Sequence, residues 1–178
     1  MRAGTATAGP DNEPVTDSVN AVGVLRAGPI HAEVVGHLLF DFNAEFGARG
    51  PAAQVLTARF ARLLRRDDVI VLLAGNELAG NEQDPTGFAF LTLRPTPYHD
   101  GPLAQLEELY VRPGLRDQGI GTALLTSAME AIRKYGAGEI HINVDEIDTD
   151  ARRFYERHGF VNIEPGTDYR MLCYLREL

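Results

Sequence analysis

The spacing of apolar residues predicts a chain that alternates between strands and helices. Apolar side chains recur every three to four residues in four predicted helices: 31–46, 52–66, 120–135 and 148–159. Runs rich in β-branched and aromatic residues, bounded by Gly, Pro, Asn and Asp, predict seven strands: 21–28, 69–75, 87–95, 104–111, 139–146, 160–164 and 169–178. The order βααβββαβαββ predicts an α/β fold, a single mixed β-sheet flanked by helices on both faces.

The first 20 residues differ from the rest of the chain. They are rich in Ala, Gly, Thr, Asp and Pro, so we expect a disordered N-terminal tail at 1–20 and one domain at 21–178. No apolar run approaches the roughly 18 residues of a membrane span, and no apolar core follows Arg2 as in a secretory signal. These features predict a cytoplasmic protein.

Charge and cysteine content restrict the partners. The net charge of −8 argues against nucleic acid or an anionic membrane as the main partner, since both attract clustered positive charge. Cys173 is the single cysteine and is predicted to lie in a closing core strand, so neither an internal disulfide nor a cysteine metal site is expected. The five histidines show no ligand spacing, and we therefore expect no metal.

The stretch "RDQGIGTALL" follows a predicted strand and opens a helix. Such a turn binds anions, because free backbone N–H groups and the positive end of the helix dipole point the same way. Gly119 and Gly121 would let an anion approach the backbone, and Arg116, Gln118 and Thr122 carry further donors. The alternative is a purely structural turn, in which the glycines permit tight packing of strand against helix.

Comparison with phosphate motifs narrows the choice of anion. The dinucleotide-binding motif G-x-G-x-x-G would need a third glycine at position 124, where the chain has Leu124. A P-loop would need a lysine at position 120, where the chain has Ile120. A pyrophosphate that is bound but not cleaved fits better. If the strand "LEELYV" loses its pairing near Leu109 to Val111, its free edge can pair with the amides of a long ligand.

Two segments resemble one family. "LEELYVRPGLRDQGIGTALL" is similar to the signature of the GNAT superfamily of acyl-CoA-dependent N-acyltransferases, through Arg116, Gly119 and Gly121, and "ARRFYERHGF" resembles a second motif of that family. The resemblance implies acetyl-CoA as co-substrate and a possible homodimer. The residues it implies in cofactor binding are Leu109, Tyr110, Val111, Arg116, Asp117, Gln118, Gly119, Ile120, Gly121, Thr122 and Asp148. Asp148 occupies the place of an asparagine of many members, and its alternative role is a helix cap.

Acetyl transfer to an amine needs a base, because an alkyl ammonium titrates near pH ~10.4. The family register favours Glu107, with Glu108 as the fallback; the alternative for Glu107 is a solvated surface carboxylate. Strict alternation predicts that Glu107 shares a strand face with Leu109 and Val111, opposite Glu108. By resemblance, Tyr155 donates a proton to the departing thiolate; otherwise it is a half-buried aromatic.

The sequence therefore favours an N-acetyltransferase that moves an acetyl group from acetyl-CoA to a primary amine. The acceptor is left open between a small molecule, such as a polyamine, an amino acid or an aminoglycoside, and a protein amino group. The family layout points to "FDFNAEFGARGP" and "TPYHDGPL" as walls of the acceptor pocket. A non-catalytic sensor of coenzyme A or acyl-CoA is the alternative.

Overall fold

A computed structural model describes residues 22–76 and 85–176 of the chain. The predicted tail at 1–20 therefore lies outside the described residues. The nine helices and strands of the described ranges are β1 (Val22–Arg26), α1 (Ala32–Glu45), α2 (Ala53–Leu63), β2 (Val69–Asn76), β3 (Gly87–Arg94), β4 (Leu103–Val111), α3 (Ile120–Lys134), β5 (Glu139–Ile142) and α4 (Thr149–Arg157). Short 3₁₀ turns precede α1 and follow β4.

The strands form one sheet in the order β1-β2-β3-β4-β5. The first four strands pair antiparallel with their chain neighbours, and β5 pairs parallel to β4 after the crossover through α3. The prediction of one mixed α/β sheet is thus confirmed, and β4 lies at its junction between antiparallel and parallel pairing.

Apolar side chains fill both faces of this sheet. On one face, α1 and α2 cover a cluster that includes Val35, Leu38, Phe60, Phe88 and Tyr110. The opposite face carries the larger cluster, in which side chains of α3 and α4 pack on alternate residues of all five strands. Because each face buries its own apolar set, the sheet is held in a fixed register between two helical layers.

The two closing strands predicted at 160–164 and 169–178 are not formed in the described residues. A single bridge between Ile163 and Arg170 pairs this segment, and Cys173 is exposed rather than part of the core. Tyr174 and Leu175 are 90% and 91% exposed. The alternation of apolar residues is real, but a strand needs a partner edge, and here the segment lies off the sheet. The strand predicted at 139–146 is also shorter, ending at Ile142.

Among residues 22–76 and 85–176, no helix combines the length and the apolar character that crossing a membrane requires.

Candidate active site

The strand β4 contains an irregularity at its centre. Phe90 of β3 pairs with Glu108, whereas the next residue, Leu91, pairs with Leu106, so Glu107 is an extra residue without a register partner on β3. Such a bulge reverses the side-chain alternation beyond it. Leu106, Leu109 and Val111 accordingly all pack with the α3 and α4 face. The predicted sharing of one face by Glu107, Leu109 and Val111 is therefore wrong.

The second half of β4 has an open edge. Pairing with β5 ends at Leu106 opposite Ile142. On the other side, the Arg112 N–H donates to the Thr86 carbonyl at 2.9 Å, which fixes the hydrogen-bonding phase of the ladder. The N–H and C=O groups of Leu109 and Val111 therefore point away from β3 and towards the open edge. This is the loss of pairing near Leu109 to Val111 that would let this strand edge pair with the amides of a long ligand.

The turn after β4 has an unusual backbone. Gly119, the N-cap of α3, has φ +82°, and Asp117 has φ 61°. No side chain caps the first turn of α3, so its leading N–H groups stay available to a bound anion. A Cβ on Gly119 would meet nothing within 4 Å, so glycine is required there by conformation and not by crowding.

The second glycine of the turn, Gly121, lies against α4 and the end of β4. A Cβ added to Gly121 would lie 3.4 Å from the Phe154 ring and 3.8 Å from Val111 Cγ2. Phe154 belongs to α4 and partly covers the larger core cluster. These are ordinary van der Waals distances, so crowding does not require glycine at 121, and the anion-binding and packing interpretations of Gly121 both stay open, while Gly119 has the left-handed conformation that favours glycine.

Two arginines join this turn to the end of α1. Arg116 approaches both carboxylate oxygens of Glu45, at 2.7 and 2.9 Å, and its Nε donates to the Val111 carbonyl at 3.1 Å. Arg112 approaches Asp41 at 3.3 Å. Gln118 donates to the Gly114 carbonyl at 3.4 Å, within the turn itself. The first residue of the glycine motif is thus held by a carboxylate from α1, the helix expected to wall the acceptor pocket.

A chain of hydrogen bonds joins the first turn of α3 to the end of α4. His158 Nδ1 lies 2.7 Å from the Phe154 carbonyl, and His158 Nε2 lies 3.2 Å from the Thr122 hydroxyl. Since a carbonyl only accepts, Nδ1 carries the proton, and in the neutral ring Nε2 accepts from Thr122. The Phe154 and His158 rings also pack at 4.5 Å.

The two candidate bases differ in their surroundings. Glu107, in the bulge, is exposed and accepts a hydrogen bond from the Thr92 hydroxyl. Glu108 is half-buried beside Phe90, and burial, followed by the charge of Glu107, raises the pKa of Glu108 to about 7. A carboxyl group with this pKa exchanges protons readily at neutral pH, as a general base must.

Tyr155 is buried in the larger core cluster, between the rings of Phe154 and Phe160. Burial, then the charges of Asp148 and Glu108, raise the pKa of its phenol well above the usual value. The hydroxyl therefore keeps its proton at neutral pH. It also lies within electrostatic range of Glu108. Asp148 caps α4, its side chain accepting from the Ala151 N–H at 3.0 Å, as its alternative role predicts.

The sequence does not predict the contacts of Glu45 and His158: it places Glu45 in a predicted wall of the acceptor pocket and assigns His158 no role. Both lie far in the chain from the groups they contact, 71 residues from Arg116 and 36 residues from Thr122. Glu45 carried a signal, since it is an acidic residue at the C-terminal end of a helix, where the dipole disfavours it without a cationic partner. His158 lies inside the second family-like segment, but the sequence alone does not reveal its contact.

Comparison with known proteins identifies the family. The model of the acetyltransferase (GNAT) family matches residues 37–160, which includes the bulge, the glycine turn and Tyr155. An acetyltransferase of Agrobacterium fabrum is 32% identical over 124 residues, which is 69% of this chain and 80% of the relative. The mycothiol acetyltransferase of Thermobispora bispora is 34% identical over 71 residues, which is 40% of this chain and only 24% of that relative.

Solved structures agree with the family match. A crystal structure from Arthrobacter sp. FB24, assigned as an acetyltransferase, is 48% identical, covers 91% of this chain and 99% of its own, and superimposes with a TM-score of 0.81. An aminoglycoside acetyltransferase from an uncultured soil sample shares the fold with a TM-score of 0.70 at 22% identity, covering 89% of this chain and 97% of its own. The chain is therefore an acetyltransferase that belongs to the GNAT family.

Proposed function

We propose that the enzyme transfers an acetyl group from acetyl-CoA directly to a primary amine, with Glu108 as general base and Tyr155 as proton donor. The single observation that carries this proposal is the environment of Glu108. A half-buried carboxyl group with a pKa of about 7 stands in β4 where its edge opens, within electrostatic range of a buried phenol.

The residues fit acetyl-CoA along two segments. The outward backbone groups of Leu109 and Val111 match the amides of the pantetheine arm, as an added strand would. Uncapped N–H groups of Ile120, Gly121 and Thr122 match the pyrophosphate. An outward N–H on β4 would also polarise the thioester carbonyl, without a metal.

The proposed reaction balances its protons through the two side chains. Glu108 takes one proton from the bound ammonium, directly or through water. The freed lone pair of the amine nitrogen forms the C–N bond, the C–S bond breaks, and its electron pair leaves with sulfur. Tyr155 donates its proton to the thiolate and regains one from the new amide nitrogen, while Glu108 releases its proton to water.

The favoured base therefore changes from Glu107 to Glu108. Glu107 is solvated and bonded to Thr92, whereas Glu108 combines burial with a pKa near neutrality. The charge of Glu107 still contributes, because it helps to raise the pKa of its neighbour. Two adjacent carboxylates also suit a cationic acceptor, which agrees with the overall charge of −8.

Thiol release from acetyl-CoA, measured against a panel of amines, tests this function. The panel contains a polyamine, an aminoglycoside, an amino acid and a peptide with a free N-terminus; a fold relative crystallised with sisomicin supports the aminoglycoside. Turnover with one class of amine, alongside calorimetric binding of acetyl-CoA, is the expected result. Tight binding without turnover on any amine would favour the sensor alternative, and absence of binding would contradict the proposal. Cytoplasmic location and a homodimer stay predictions.

A further inference from the structure

The contact between His158 and Thr122 places an ionisable ring directly behind the proposed pyrophosphate site. We propose that His158 is a positioning residue that takes up a proton when coenzyme A binds, and that this proton turns the Thr122 hydroxyl towards the pyrophosphate. The inference rests on the proposed function, since it assumes that the first turn of α3 holds the anion.

The direction of the present hydrogen bond creates the need for a proton. With Nδ1–H committed to the Phe154 carbonyl at 2.7 Å, the neutral ring can only accept at Nε2. The Thr122 hydroxyl donates its single hydrogen to that nitrogen, at 3.2 Å. Its oxygen then offers only lone pairs to its other neighbours, and lone pairs repel a phosphate oxygen.

Protonation reverses this bond without moving either side chain. An imidazolium donates from Nε2 to the Thr122 oxygen, and the hydroxyl hydrogen is free to turn to the anion. Protonation adds a charge-assisted hydrogen bond from the ring to Thr122. It also places a positive charge next to the residue that faces the anion. A bound dianion favours this gain of a proton by the ring beside it.

The surroundings of His158 leave the anion as the main electrostatic influence. Within the described residues, its ring contacts Phe154 of α4 and Thr122 of α3, neither of which is ionisable, and its backbone N–H donates to the Tyr155 carbonyl at 2.9 Å. The charged residues nearest in sequence on its own helix, Glu156 and Arg157, are exposed. In the turn before α3, Arg116 is engaged by Glu45 and Asp117 is exposed.

Proton uptake measures this proposal directly. Coenzyme A is titrated calorimetrically into the protein at pH 7.2 in PIPES and in Tris, whose ionisation enthalpies differ. The wild type is expected to take up roughly half a proton per coenzyme A bound. His158→Gln is expected to take up clearly less than the wild type, the remainder belonging to Glu108, and to bind coenzyme A about 10-fold more weakly at pH 6.5, the difference shrinking by pH 8.5.

Two further variants and a second probe isolate the cause. Thr122→Val keeps the ring and its bond to Phe154, so it tests the hydroxyl even if the histidine variant folds poorly; it is expected to lose most of the uptake. His37→Gln and Thr126→Val, at exposed positions on α1 and α3, are matched controls that should behave as wild type. Pantetheine, which lacks the pyrophosphate, should bind with the same proton uptake in wild type and in His158→Gln.

The outcomes separate this inference from the proposed function. Coenzyme A binding with no proton uptake, or with equal uptake by wild type and His158→Gln, would overturn the role of His158 while leaving the acetyltransferase proposal intact. Failure of the wild type to bind coenzyme A would overturn both.

Discussion

The two halves of β4 belong to one strand but have different surroundings. Residues 103–106 pair with β3 on one side and β5 on the other, and their apolar side chains alternate as expected for a buried strand. Residues 107–111 keep only the β3 partner and begin with a bulge. One half therefore holds the sheet together, and the other leaves backbone groups and carboxylates for a ligand. We therefore propose that acetyl transfer takes place at the half of β4 that lacks pairing with β5.

Proline substitutions should separate the two halves of β4 most strongly, because they remove a backbone N–H that has a different partner in each half. Gln105→Pro removes an N–H from the half with partners on both sides, so it should cost on the order of 3 kcal/mol or more and leave little folded protein. Leu109→Pro removes an N–H that points to the open edge, so the fold should survive and acetyl-CoA binding should weaken. Thermal unfolding and calorimetric titration measure both. Equal loss of folding in the two variants would show that Leu109 is not on an open edge.

Replacing the buried phenol tests how the open half connects to α4. Tyr155→Phe keeps the ring between Phe154 and Phe160 but removes the proton donor, so kcat should fall by about 100-fold with little change in melting temperature. Because the raised pKa keeps Tyr155 protonated, wild-type kcat should show no decline up to about pH 9. Full activity of Tyr155→Phe would remove this residue from the mechanism.

The smallest of these expected effects is on the free energy of unfolding of Glu108→Gln. This variant should be more stable than wild type although it is less active. The pKa of Glu108 rises from 4.5 to about 7 on folding, so the folded state binds this proton more tightly and the free energy of unfolding falls as the pH rises from about 4.5 through 7. Glu108→Gln removes this cost at pH 8. The full shift corresponds to about 3 kcal/mol, and solvent screening of a part-exposed group reduces the expected gain to about 1 kcal/mol.

Chemical denaturation at pH 8 and at pH 4 checks the sign. The gain of Glu108→Gln over wild type should be present at pH 8 and small at pH 4, where the wild-type carboxyl group is protonated in the folded state. Glu107→Gln, at an exposed neighbouring position, serves as the control and should change the free energy of unfolding much less. Destabilisation of Glu108→Gln at pH 8 would contradict the burial argument.

The difference between the two halves of β4 also shows which parts of the fold and of the candidate site can be predicted from the sequence. The helices, the first five strands and the glycine turn follow from local spacing and turn residues, and the structure has them all. The bulge at Glu107 has no local signal in "AQLEELYV", and it exchanges the faces of every residue after it. The family register favoured Glu107 as the base, because nothing in that stretch shows how differently Glu107 and Glu108 are surrounded.

Long-range contacts and strand pairing were the other limits. The partnership of Arg116 with Glu45 and that of Thr122 with His158 depend on how distant helices pack, which spacing within one segment does not encode. The closing segment shows the reverse case. "YRMLCYLREL" has the alternation of a strand, but the pattern alone supplies no partner strand, and the described part of this segment forms one bridge, between Ile163 and Arg170.

The most direct test of the central claim is the rate of acetyl transfer by Glu108→Gln and Glu107→Gln, measured side by side with wild type between pH 6 and pH 9. The account predicts that wild-type kcat rises with pH through about 7, that Glu108→Gln loses between about 100-fold and 10,000-fold in kcat and the rise with it, and that Glu107→Gln keeps most activity with the rise moved to lower pH. A large loss in Glu107→Gln with a nearly normal Glu108→Gln would contradict the account and return the base to the residue in the bulge.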